Sequence, residues 1–253
     1  MKLILKHTLF FLLLALSACS YFEIDNFEEP DSGIQGTVVD KKSGQPLLSE
    51  TGYSYKIEYY EMSWEAAGHE NTQSRYFWGK GDGTFMNSKI FAGTYRLTLK
   101  EGAFHEVEPR EVELRSGKLT EVNYEVIPFA RVFLEEVTTA ADNPNNLVIK
   151  YRVEDTEGEI DTETIDEDLF LLSEARVFIS SKSPNVGVSN TESNFTLNAR
   201  KDLSRYTPGI PKSYTETNVK GLPSGTWWVR VGARTDNPQK RYNFSEVFEI
   251  TIP

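Results

Sequence analysis

Along most of this chain hydrophobic residues recur at every second position, with Gly, Pro, Asn and Asp at the breaks. That period of two is the signature of half-buried strands, and no long helical period competes with it. In Ile34-Gln35-Gly36-Thr37-Val38-Val39-Asp40 the even positions 34, 36 and 38 are non-polar, and Ser43-Gly44-Gln45-Pro46 then predicts a turn. Residues 55–60 read as a strand, Gly81-Asp82-Gly83 as a turn into Thr84-Phe85-Met86, and residues 94–100 as a strand with Tyr95, Leu97 and Leu99 on one face. Val112 and Leu114 share a face, Ser116-Gly117-Lys118 turns the chain, and Val122, Tyr124 and Val126 line the next buried side. Beyond Ile127-Pro128-Phe129, a stiff joint with no flexible linker, the alternation resumes. Leu147, Ile149, Tyr151 and Val153 point inward while Lys150 and Arg152 point outward; residues 175–180, 226–231 and 246–252 supply further strands. The predicted fold class is all-β, with two consecutive β-sandwich domains spanning 33–127 and 128–253.

The N-terminus breaks the pattern. Lys2 and Lys6 precede a continuous apolar run over residues 8–16, followed by the small residues Ser17 and Ala18. This order predicts a signal peptide over 1–18, and the run is about half the roughly 20 residues a spanning helix needs. Leu16-Ser17-Ala18-Cys19 resembles the bacterial lipobox, in which the cysteine becomes the acylated first residue of the mature protein. Cys19 is the one cysteine of the chain, so it has no partner for a disulfide. The expected partner of this end is a membrane, reached through lipid on Cys19. Residues 19–32 are acidic, with Pro30 near their end and Gly33 just beyond, which predicts a tether. They also resemble the acidic surface-export signal of Bacteroidetes lipoproteins, implying an outer-membrane lipoprotein exposed at the cell surface; a plain solvated linker facing the periplasm is the alternative.

Charge and motifs narrow the chemistry. The chain carries 27 Lys and Arg against 38 Asp and Glu, a net of −11; cleavage after Ala18 would take away Lys2 and Lys6 and make it about −13. Such a surface repels phosphate backbones, and no basic stripe offsets it, so nucleic acid is not an expected partner. His69 and His105 lie in no zinc-ligand spacing, and no nucleophile elbow or phosphate loop is present. The 38 acids make any opposed carboxylate pair uninformative. The expectation is a protein that is not an enzyme, with no metal and no cofactor. The acidic stretch 154–168 has a glycine at Gly158, but aligning it with the invariant glycine of a calcium loop puts Val153 at the first ligand position, so it reads as a solvated loop.

Gly36-x-Val38-Val39-Asp40 with Gly44-x-Pro46-Leu47, then Gly83-x-Phe85 and Ala92-Gly93-Thr94-Tyr95, resembles the carboxypeptidase-regulatory-like, transthyretin-like sandwich. Gly225-x-Trp227-x-Val229-Arg230-Val231 and Tyr242-Asn243-Phe244-Ser245 resemble the closing strands of a fibronectin-III-like or Ig-like sandwich. With the lipobox and tether, the whole resembles an uncharacterised Bacteroidetes lipoprotein family, a domain of unknown function, encoded beside SusC/SusD-type outer-membrane transporters. The resemblance implies an accessory role in nutrient uptake and carries over no catalytic residue.

Aromatic residues are the remaining candidates for ligand contact, because sugar C–H faces stack on exposed rings. Over residues 226–234, Trp227, Val229, Val231 and Ala233 share the inward face, and Trp228, Arg230, Gly232 and Arg234 the other. Trp228 with Arg230 and Arg234 is one candidate glycan platform; the alternative is a ring packed under arginine stems or against the first domain. The second candidate is the insertion holding Trp64, Tyr76 and Trp78, where Tyr76 and Trp78 share a face if the segment is extended. The function expected is a non-catalytic, outer-membrane-anchored accessory lipoprotein that binds polysaccharide or oligosaccharide. The alternative is a structural subunit that docks on the transporter pair without touching sugar.

Overall fold

The computed structural model describes residues 28–69, 72–156, 158–160, 171–196, 200–203 and 215–253. The predicted signal peptide, Cys19 and most of the tether lie outside the described residues, as does much of the 154–168 loop. Asp31–Pro253 forms one compact unit, whose regular elements are strands apart from two short helices.

The first half holds β1 (Ser32–Asp40), β2 (Lys56–Glu61), β3 (Arg75–Trp78), β4 (Thr84–Ile90), β5 (Gly93–Lys100), β6 (Arg110–Leu114), β7 (Leu119–Glu121) and β8 (Tyr124–Val126). One sheet runs β4-β1-β7, with β8 also on β1; the other runs β3-β2-β5-β6. Their facing residues, among them Ile34, Val38, Ile57, Phe85, Tyr95, Leu97 and Tyr124, build one core. The alternation read from β5 holds: Tyr95, Leu97 and Leu99 are buried while Arg96 and Lys100 are exposed. β7 and β8 both join β1 in parallel, separated by a break at Val122 and Asn123. Gly36 lies against that break, where an added Cβ would come within 1.9 Å of the Val122 carbonyl oxygen. Only glycine fits so close a backbone approach. A short helix, α1 (Met62–Ala66), opens the insertion.

The second half holds β9 (Ala130–Thr139), β10 (Leu147–Asp155), β11 (Leu172–Ser180), β12 (Arg200–Asp202), β13 (Thr215–Val219), β14 (Gly225–Thr235), β15 (Asn243–Phe244) and β16 (Phe248–Ile252), with the single helical turn α2 (Ser193–Thr196) before β12. The sheet β13-β10-β9 packs on the sheet β12-β11-β14-β15, in which β16 also pairs with β14. Leu147, Ile149, Tyr151 and Val153 from β10 meet Trp227, Val229, Val231 and Ala233 from β14, as the alternation predicts.

The opposite face of β14 is not open to solvent. Phe178, Val186, Tyr242 and Phe244 form a further apolar cluster over it, joined by Trp228 and by Leu48 of the first half. Gly232 sits between the rings of Phe178 and Phe244, each within 2.9 Å of where a Cβ would be.

The two halves are stitched together by polar contacts. Arg131 makes a forked ion pair with Asp40, 2.7 and 2.8 Å, and a second with Glu159, 2.7 and 2.8 Å. Asn243 bridges the joint, accepting from the Ala130 N–H at 3.0 Å and donating to the Ala103 carbonyl at 2.9 Å. The Phe129 N–H donates to Ala103 and the His105 N–H to Ile127.

Candidate functional site

The connection from β1 to β2 builds one wall of a cleft. The Ser49 N–H donates to the Gly81 carbonyl at 2.9 Å, and the Ser54 hydroxyl to the Gly79 carbonyl at 2.5 Å. The Tyr55 ring tucks under Gly79, where a Cβ would lie 2.2 Å from it. Tyr53, between these anchors, is left 59% exposed and stands edge-on to Trp78, centroids 5.2 Å apart. Tyr76, 54% exposed, shares a face of β3 with Trp78 at 6.0 Å. Lys56, paired with Glu101 at 2.5 Å, lies 4.5 Å from the Tyr76 centroid and 5.3 Å from that of Trp78, within cation–π range.

Opposite this wall stand Pro184 and Asn185, from the loop after β11, and Glu246 and Val247 between β15 and β16. The cleft between encloses about 590 Å³, with Trp78, Lys80 and Asp82 on the first side. Partial burial pulls the Asp82 carboxyl upward, but the N–H and hydroxyl of Thr84, at 2.9 and 2.7 Å, outweigh it and hold the group ionised.

The loop carrying Asn185 is fixed from across the cleft. Both carboxylate oxygens of Glu50 accept from the Val188 N–H at 3.0 Å. Gly187 packs so closely on Glu50 that a Cβ would lie 2.3 Å from Oε1. Burial pushes the Glu50 carboxyl up, against the hydrogen bonds from Val188 and Thr51 and the charge of Arg230.

The residues expected from sequence separate. Tyr76 and Trp78 come together in the aromatic row, and Trp78 lines the cleft. Trp64, 43% exposed on α1, stacks on His69 at 3.8 Å and is not among the residues lining the cleft. Trp228 is half-buried over the apolar cluster and donates its indole N–H to Glu249 at 3.0 Å. Arg230, expected on an open face, is 4% exposed: its guanidinium donates to the carbonyls of Ser245 (2.8 Å), Ser49 (3.2 Å) and Val186 (3.3 Å). Desolvation pulls its pKa down to about 10, against the charges of Glu50 and Glu246. Arg234 is half-buried, 3.4 Å from Glu174 and over the Tyr242 ring. Trp228, Arg230 and Arg234 thus belong to a covered face, not an exposed platform, because the rings of Phe178, Tyr242 and Phe244 and Leu48 of the first half pack over it.

Tyr53 and Asn185 were missed by sequence reasoning. Tyr53 carries a weak signal, an aromatic ring between Gly52 and Ser54 in a stretch with no alternation to bury it. Asn185 carries none, since its place in the cleft depends on Glu50 reaching from the other half. Among the described residues no group of three or more His, Cys, Asp or Glu could hold a metal ion, and no helix is long and apolar enough to cross a membrane.

Residues 32–127 match the family described as "Protein of unknown function (DUF3823) N-terminal domain". No curated protein matches the chain. Three solved structures show the same fold at low identity. A DUF3823 family protein from Bacteroides uniformis is 23% identical with a TM-score of 0.71, over 88% of this chain and 100% of that one. A DUF3823 family protein from Parabacteroides merdae is 20% identical with a TM-score of 0.63, over 88% and 100%. A third protein, also from Bacteroides uniformis and described as a candidate carbohydrate binding protein, is 20% identical with a TM-score of 0.68, over 88% and 99%. Residues 32–127 are thus similar to the N-terminal domain of DUF3823, a family of unknown function, and the chain shares its fold with solved proteins of that family.

Proposed function

We propose that this protein is a non-catalytic accessory lipoprotein, anchored at the outer membrane through Cys19 beside a SusC/SusD-type uptake system, and that its cleft binds glycan. The observation that carries the glycan reading is the aromatic row: Trp78 lines the 590 Å³ cleft, and Tyr53 and Tyr76, both more than half exposed, stand edge-on to it at the cleft's margin. Exposed rings supply apolar faces for pyranose C–H groups, and Asn185, Asp82 and Lys80 supply donors and acceptors for hydroxyls. The carbohydrate-binding description of one structural relative points the same way.

The scaffold reading has its own support. Met86 on β4 and Leu119 on β7, strands on either side of β1, are 54% and 45% exposed and suit protein contact.

A polysaccharide array probed with wild type and with the Tyr76→Ala, Trp78→Ala double variant separates the two. Glycan binding predicts a wild-type hit that the double variant loses by about five-fold or more, taking base–aromatic stacking as the nearest analogue. A wild-type protein that binds no glycan on the array, acidic or neutral, yet co-purifies with the transporter pair would put the scaffold in its place.

A further inference from the structure

We propose that the cleft takes a single, uncharged glycan chain in soluble form, in preference to a uronate polymer or a crystalline polysaccharide face. The inference rests on the glycan reading above and narrows it.

Shape is the first argument. The Trp78 ring plane stands at 78° to that of Tyr53 and at 85° to that of Tyr76, with centroids 5.2 and 6.0 Å away. Rings turned nearly at right angles cannot lie together on a flat crystal surface, which requires them to be coplanar. They can contact successive sugars of one chain whose units rotate along its length. The second wall, with Pro184, Asn185 and Val247, further closes the site to an extended flat face.

Charge is the second argument. A carboxylate-bearing glycan needs an available cation, and arginine is the usual means of gripping one. The Arg230 guanidinium at this cleft is occupied by three backbone carbonyls. Lys56 is paired with Glu101, and Arg241 donates to the Glu101 carbonyl while lying 5.6 Å from the Trp78 centroid. The charged groups lining the opening are Lys80 and Arg230 against Asp82 and Glu246, on a chain of net charge −11. A uronate would meet both carboxylates, while the guanidinium of Arg230, one of the two cations, already donates to backbone carbonyls. A neutral sugar instead offers hydroxyls that donate to those carboxylates and accept from the Asn185 amide.

Affinity electrophoresis of the mature protein tests this with soluble neutral polymers (starch, xyloglucan, galactomannan), with polygalacturonate and alginate, and with sedimentation on microcrystalline cellulose. The expected result is retardation by a soluble neutral polymer, unaffected by added salt, since no ion pair with the ligand is there to screen. Tyr53→Ala should weaken it about five-fold or more, and Trp64→Ala, away from the cleft, should not. Retardation chiefly by a uronate polymer that fades with salt, or stronger sedimentation with cellulose, would overturn the inference and spare the glycan reading. Binding to none of these probes overturns both.

Discussion

Arg230 is held by three backbone carbonyls at 4% exposure, one of them from the other half of the molecule. Replacing it with methionine would fill the volume but leave three buried acceptors without a donor. It would also remove the positive charge that offsets burial of Glu50. The two losses together should cost on the order of 3 kcal/mol. The denaturant midpoint of Arg230→Met should fall accordingly, and Arg230→Lys should recover only part of it, because a compact ammonium cannot fork to three separated carbonyls. An unchanged midpoint for Arg230→Met would show that these carbonyls find other donors. Alternation along β14 placed Arg230 on the face opposite Trp227, and that much was legible. Its partners were not, because Ser49 lies 181 positions away. Trp78 was easier to find: Trp and Tyr two apart on an extended segment share a side whatever the strand pairs with.

At the level of elements, local period and turn chemistry carried most of the information. β5, β10 and β14 bury the faces their sequences mark, and Gly44 and Gly83 adopt φ of 68° and 82° in the turns their neighbours predict. What could not be read was pairing at a distance. β1 takes β7 and β8 in parallel on one side and β4 antiparallel on the other. The period of two is the same for either direction. Helix α1 was also missed, since five residues are too few to show a helical period. β15, two residues long, gives no period at all, yet its Phe244 ring, with Phe178 and Tyr242, covers the face of β14 that alternation alone leaves open. The leader is the one element whose reading stands on sequence alone. Changing Cys19 to Ala should abolish metabolic labelling by fatty acid and leave the precursor uncleaved, as followed by its mobility on a gel; acylation persisting in that variant would remove the anchor from the proposal.

Across the compact unit of Asp31–Pro253, the joint between the sandwiches gathers charge and a buried histidine, and this sets how stability follows pH. His105 is 5% exposed, edge-on to Phe129 at 4.7 Å and 3.4 Å from the Thr156 hydroxyl. Desolvation pulls its pKa down from 6.5 to about 4, against the opposing charge of Glu159. The unfolded chain therefore takes up this proton first as pH falls. The contribution of neutral His105 is full above about pH 6.5 and is lost progressively toward pH 4, amounting to on the order of 3 kcal/mol. Asp40 and Glu159 are held below the usual carboxylate range: burial pulls them up, but the hydrogen bonds they accept, chiefly from Arg131, outweigh it. Their contribution persists through most of that window and is lost only as pH drops through their depressed values. Glu50 runs the other way, since its raised carboxyl gains from protonation as pH falls. A difference experiment separates these groups: wild type and His105→Gln, each unfolded in denaturant at intervals from pH 7 to pH 4. The wild type should lose more stability across the window than the variant, while the carboxylate effects, common to both, cancel. Parallel curves would mean that His105 takes up its proton in the folded joint as readily as in the unfolded chain.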